Sequence, residues 1–155
     1  MSFTIPEPLR VEHARLHEKL EDAVAKGGRT GEMARVVAER LHPHFVAEEE
    51  FAMPPLGLLA ILVRGDRKDV VSEDDRKAAR AMADRLASEM PRMLTEHGQI
   101  VAALRFLTAA AEEEGHLDVV EFAKALILHA QTEEQVLYPA SILVGRYLEL
   151  MLSPS

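Results

Sequence analysis

Two segments of this chain follow one frame, His-x3-Glu-Glu-x4-Pro. The first reads His44-Phe45-Val46-Ala47-Glu48-Glu49 and, after four residues, Pro54; the second reads His129-Ala130-Gln131-Thr132-Glu133-Glu134 and, after four residues, Pro139. A Glu-His pair precedes each copy: Glu12-His13, with Leu16 and Leu20 at +3 and +7, and Glu96-His97, with Ile100 and Leu104 at the same offsets. The separations nearly match, since 44 − 13 = 31 and 129 − 97 = 32. In a helix, positions i and i+4 lie on one face about 6 Å apart. Glu48 is therefore expected beside His44, and Glu133 beside His129. A fold for this chain has to bring four such helical segments around one centre.

The rest of the chain supports helices. Apolar residues recur at three- and four-residue steps, and no stretch alternates as a half-buried strand would. Pro6 suits a helix's first turn, and Gly27-Gly28 ends that helix. A second helix is expected over residues 30–53, with Thr30 as N-cap, a kink at Pro43, and Pro54-Pro55 as the stop. Residues 56–63 form a short apolar helix and residues 64–71 a charged connector. Ser72, followed by Glu73, Asp74 and Asp75, opens a third long helix running to Glu114, bent at Pro91 and ended by Gly115. A fourth spans residues 116–138, and Pro139 begins a terminal helix. The expected fold is all-α: one domain over residues 1–155, an up-and-down four-helix bundle with a short extra C-terminal helix.

Charge and residue usage exclude several classes of function. The net charge of −8 disfavours nucleic acid, which needs a basic surface, and an anionic membrane surface. With no cysteine, thiolate metal sites, Fe–S clusters, disulfides and cysteine nucleophiles are all ruled out. The first residues, Met1 to Glu7, show no basic stretch followed by an apolar run, so a cytoplasmic protein is expected.

The candidate histidines fall on apolar stripes: His13 with Leu9, Leu16 and Leu20; His44 with Val37, Leu41 and Phe51; His97 with Met90, Leu94, Ile100 and Leu104; His129 with Phe122, Leu126 and Val136. A buried ring or carboxylate needs a partner, and two facing carboxylates repel. Metal ions held between His13, His44, Glu48, His97, His129 and Glu133 answer both demands. Imidazole and carboxylate suit iron, manganese or zinc alike. His17, with Glu21 at +4, and His42 read as surface or outer groups, although His17 competes with His13 for the ligand position. Glu49 and Glu134 either orient ligands or meet solvent, and Tyr138, whose counterpart in the other copy is Met53, reads as packing. A rival Glu-x-x-His arrangement, Glu39/His42 with Glu113/His116, fails because the second pair straddles Gly115. Residues 56–63 and the terminal helix either cover the bundle end or form a homodimer interface.

The order His, His-x3-Glu, His, His-x3-Glu resembles the hemerythrin-like cation-binding domains over essentially the whole chain. The resemblance implies a four-helix bundle with two iron ions and assigns His13, His44, Glu48, His97, His129 and Glu133 as ligands. The oxygen-carrying members have a fifth histidine four residues after the third; here that position is Val101. They also end in His-x4-Asp, where this chain has His129-x3-Glu133. The chain thus looks more like bacterial regulatory or stress-response members than like oxygen carriers. Two bridging carboxylates and two imidazoles per ion leave about two positions open on each octahedral metal. The expected partner is a small ligand such as O2, NO or peroxide. Small-ligand binding or sensing, a redox enzyme, and iron storage or donation for metal-centre repair all fit that arrangement.

Overall fold

Every element of the computed structural model is helical among the residues it describes, 1–65 and 71–152. The connector expected over residues 64–71 lies for the most part outside them. Helix α1 spans Glu7–Ala25, α2 Gly28–Ala47, α3 Leu59–Val63, α4 Glu73–Glu114, α5 Leu117–Thr132 and α6 Tyr138–Leu152. Helix α1 packs on α2 and α5, and α4 packs on α2, α5 and α6. No helix among the described residues is long and apolar enough to cross a membrane.

Local chemistry sets most of the helix ends. Ser72 Oγ accepts from the Asp75 N–H at 3.1 Å, capping α4 at its acidic first turn. Gly115 closes α4 with φ 79°, a left-handed conformation that glycine adopts without a Cβ clash. Helix α2 starts at Gly28 rather than at Thr30, so Thr30 is not its N-cap. The cap comes from across the fold. Glu114, the last residue of α4, accepts from the Thr30 N–H at 2.6 Å, the Thr30 hydroxyl at 2.5 Å and the Arg29 N–H at 3.3 Å. The α-helices continue through Pro43 and Pro91.

The larger departure from expectation lies at the repeated frame itself. Each copy leaves α-helical geometry at its first glutamate and widens into a π turn, Glu48–Ala52 after α2 and Glu133–Leu137 after α5. The amide of Met53 bonds the Glu48 carbonyl, and that of Tyr138 bonds the Glu133 carbonyl, each five residues back. A proline stands one residue beyond each turn, Pro54 after Met53 and Pro139 after Tyr138, and it has no N–H with which to continue the bonding. Single π turns of this kind re-aim side chains at functional sites.

Apolar packing flanks the histidines on both sides. One cluster joins Leu16, Leu20, Val37, Leu41, Leu104, Leu107, Phe122 and Leu126; a second joins Phe51, Met53, Leu56, Leu86, Met93 and Tyr138. Each fully buried leucine contributes roughly 1.5–3 kcal/mol. Along α2 and its π turn, His44 and Glu48 fall between Leu41 of the first cluster and Phe51 of the second. Leu94 and Val136, assigned to core stripes from periodicity, are exposed instead, at 42% and 56%.

Candidate metal centre

All six predicted residues meet in the interior. His13, His44, Glu48, His97, His129 and Glu133 come from α1, the α2 end, α4 and the α5 end, and none is more than 6% exposed. They form two interlocked groups: His44, Glu48, His97 and Glu133 in one, His13, His129 and Glu133 in the other. Within each group the ligand atoms lie within 4.8 Å of one another. Glu133 belongs to both. Its Oε1 lies 3.2 Å from His97 Nε2, and its Oε2 lies 3.2 Å from His129 Nε2 and 3.7 Å from His13 Nε2. Glu48 Oε1 lies 3.7 Å from His44 Nε2. The Nε2 atoms of His13 and His129 are 3.2 Å apart.

These atoms fit a cation better than they fit each other. Glu48 Oε1 and Glu133 Oε2 are buried with no hydrogen-bond partner. Buried polar groups are almost always satisfied, so two orphan carboxylate oxygens among four imidazoles mark a place where a positive charge belongs. Without it the groups share protons. Burial, and then the nearby Glu133 charge, push the Glu48 carboxyl well above the usual carboxylate range. Burial also pushes Glu133 upward, but the neighbouring Glu48 carboxyl and imidazoles outweigh it and hold Glu133 well below that range. The shared proton thus sits on Glu48. His44 is lowered by burial and by its neighbour His97. For His97 and His129 burial acts downward, but Glu133 and the outer glutamates outweigh it and raise both.

Tyr138 is a site residue that sequence reasoning set aside as packing. It is 0% exposed. Its hydroxyl donates to Glu48 Oε2 at 2.7 Å and lies 3.1 Å from His97 Nε2 and 3.3 Å from His44 Nε2. Burial pushes this phenol far up, with the Glu133 charge acting in the same direction, so it is a firm O–H donor. Its counterpart Met53 is equally buried but has no hydroxyl. Sequence comparison of the two copies showed the difference without showing where the ring points.

The remaining candidates separate clearly. His13 is buried and stacks on Phe45, ring centroids 4.2 Å apart and 5° from parallel. The His17 side chain is 54% exposed and pairs with Glu21 at 3.1 Å, so His13 is the residue placed at the centre. His42 is exposed near His17, the ring centroids 6.5 Å apart. Val101 lines a cavity of 400 Å³ beside His97, with Gly98, Arg105 and Gln131. Glu12, Glu49, Glu96 and Glu134 stand around the outside of the four imidazoles. The repeat had singled out these glutamates but could not pair them. No family model, curated protein or solved structure matches this chain.

Proposed function

We propose that the protein is a binuclear metal protein of the hemerythrin-like kind, which binds two iron ions and binds or reacts with a small ligand such as O2, NO or peroxide. The observation that carries this reading is the shared Glu133 between two buried donor groups, with orphan oxygens on Glu48 and Glu133. The closed ring of contacts from α1 to α2, α4, α5 and back to α1 supports an up-and-down four-helix bundle around the centre. His44 and His97 would hold one ion, His13 and His129 the other, with Glu133 common to both and Glu48 on the first. Two such ions supply Lewis acidity and exchange of electrons with a bound small molecule. The protein's own part is to exclude bulk water, hold each Nε2 inward, and keep the Tyr138 O–H directed at Glu48.

The test is metal analysis of protein purified under mild conditions, with optical spectra of the reduced iron form before and after O2, NO or peroxide. Two irons per chain and a spectral change with at least one ligand are expected. A chain that binds fewer than two ions, or a di-iron form inert to all three ligands, would overturn the proposal.

A further inference from the structure

Each of the four inward imidazoles has a glutamate at its outer nitrogen, and the pairing is crossed. His44 Nδ1 faces Glu96 Oε1 at 3.4 Å, and His97 Nδ1 faces Glu134 Oε1 at 2.9 Å. His129 Nδ1 hydrogen-bonds Glu12 Oε1, while His13 Nδ1 lies 3.8 Å from Glu49 Oε1. The Glu-His dipeptide is thus not a local unit. Glu12 reaches a histidine 117 residues away, and Glu96 one 52 residues away, so each serves the opposite half of the chain. The two copies of the sequence repeat the same crossed contact.

We propose that Glu12 and Glu96 are positioning residues for the metal centre. Glu12 orients His129 for the ion held by His13 and His129; Glu96 orients His44 for the ion held by His44 and His97. This rests on the binuclear reading above. An imidazole offers its Nε2 lone pair to a metal only when its proton sits on Nδ1, and an acceptor at Nδ1 fixes both that tautomer and the ring angle. Each Glu-His pair therefore supplies one ligand to an ion and steadies the other histidine of the same ion. Solvated surface glutamates would meet neighbours on their own helix or water. Glu12, although its side chain is 51% exposed, makes its only ion pair among the described residues with the buried His129. Glu96 also meets Arg92 at 3.4 Å, and still faces His44. Neither half of the chain holds a complete site: every ion takes a histidine from each half, and His44 and His129 each take their support from the other.

Two measurements test this. In the metal-free protein, nitrogen NMR of the histidine rings should show Nδ1–H for His44 and His129. Glu12→Ala should disturb His129 and leave His44 unchanged, and Glu96→Ala the reverse. In a cobalt(II) titration, Glu12→Ala should keep one ion at wild-type affinity and bind the other about 10–100-fold more weakly. Glu12→Gln, which keeps an acceptor oxygen, should restore much of that loss. In a His129→Ala background, Glu12→Ala should have no further effect on cobalt binding. An unchanged melting temperature of the metal-free Ala variant separates positioning from a general structural role; should Ala unfold the chain, the Gln variant supplies the same comparison. Wild-type cobalt affinities for both ions, or a Glu12→Ala disturbance at His13 in place of His129, would overturn the proposal. If the unmodified chain takes up no metal, the binuclear reading fails, and the ring shifts still decide whether Glu12 orients His129.

Discussion

Replacing Glu48 with glutamine should make the metal-free protein more stable while removing most of its response to metal. Glu48 is 0% exposed and Glu133 1%, and each has one oxygen without a partner. An unsatisfied buried polar atom costs about 1–3 kcal/mol. The glutamine amide keeps an oxygen for the Tyr138 hydroxyl and presents an N–H donor to Glu133, relieving part of that cost with no change of volume. The metal-free variant should gain about 1–3 kcal/mol, and a chain of this length shifts its melting temperature by roughly 2–4 °C per kcal/mol. The gain should grow with pH. Glu48 has a folded value raised above its reference of 4.5, so folded wild type keeps a proton that the unfolded chain gives up as pH rises past that reference. Glu48 therefore costs wild type stability over that range, and the glutamine variant lacks that contribution. Metal reverses the order, because an ion present at 1,000 times its Kd stabilises wild type by about 4 kcal/mol, and an uncharged amide is a poor substitute ligand. Differential scanning calorimetry with chelator and with metal, at two pH values, reads all four states. A metal-free variant that melts at or below metal-free wild type at neutral pH, or an equal metal shift in both proteins, would refute the reasoning.

Three further outcomes are expected. His13→Ala should lose bound metal, whereas His17→Ala should keep wild-type stoichiometry by elemental analysis, since the His17 side chain is 54% exposed and paired with Glu21. Tyr138→Phe removes the O–H that Glu48 Oε2 accepts, so the metal-free protein should lose about 1–3 kcal/mol in urea unfolding while still binding two ions. Glu114→Gln should flatten the acid limb of the stability curve. Hydrogen bonds from Thr30 hold the folded Glu114 carboxyl below its reference of 4.5, so its stabilisation is complete above that pH and is lost as pH falls through the folded value; the variant lacks that loss.

How much of this was visible in the sequence depends on the range of the interaction. The helix ends at Ser72, Gly115 and the Gly27-Gly28 pair are local events, and they were read correctly from residue type. The six inward residues were readable because helical spacing puts His and Glu on one face and the repeat marks which face matters. The π turns were not, because five residues cannot distinguish a 3.6-residue period from a wider one. Thr30 was misread as a cap because the real cap, Glu114, arrives from another helix. Leu94 and Val136 follow the apolar period yet sit outside the core, since periodicity gives a stripe and docking decides how wide it is. The crossed glutamates show the same limit: sequence located the Glu-His pairs, and only tertiary docking joins Glu12 to His129.

The two copies match at the inner ligands and differ around them, and the differences fall unevenly on the two donor groups. Beside His44 and His97, Tyr138 supplies a hydroxyl; its repeat counterpart, Met53, supplies a buried thioether. Beside His13, the Phe45 ring lies flat on the imidazole, and both line a cavity of 280 Å³. Its counterpart, Ala130, leaves the space beside His97 to a larger cavity of 400 Å³ that also contains Val101, the counterpart of His17. A small molecule approaching His97 from outside therefore meets a cavity lined by Ala130, Val101 and Glu134. One approaching His13 meets an aromatic face. The two donor groups each have two histidines and share Glu133 but differ by Glu48, and hydrogen bonding and access around them differ as well, so reactivity at the two positions is expected to differ.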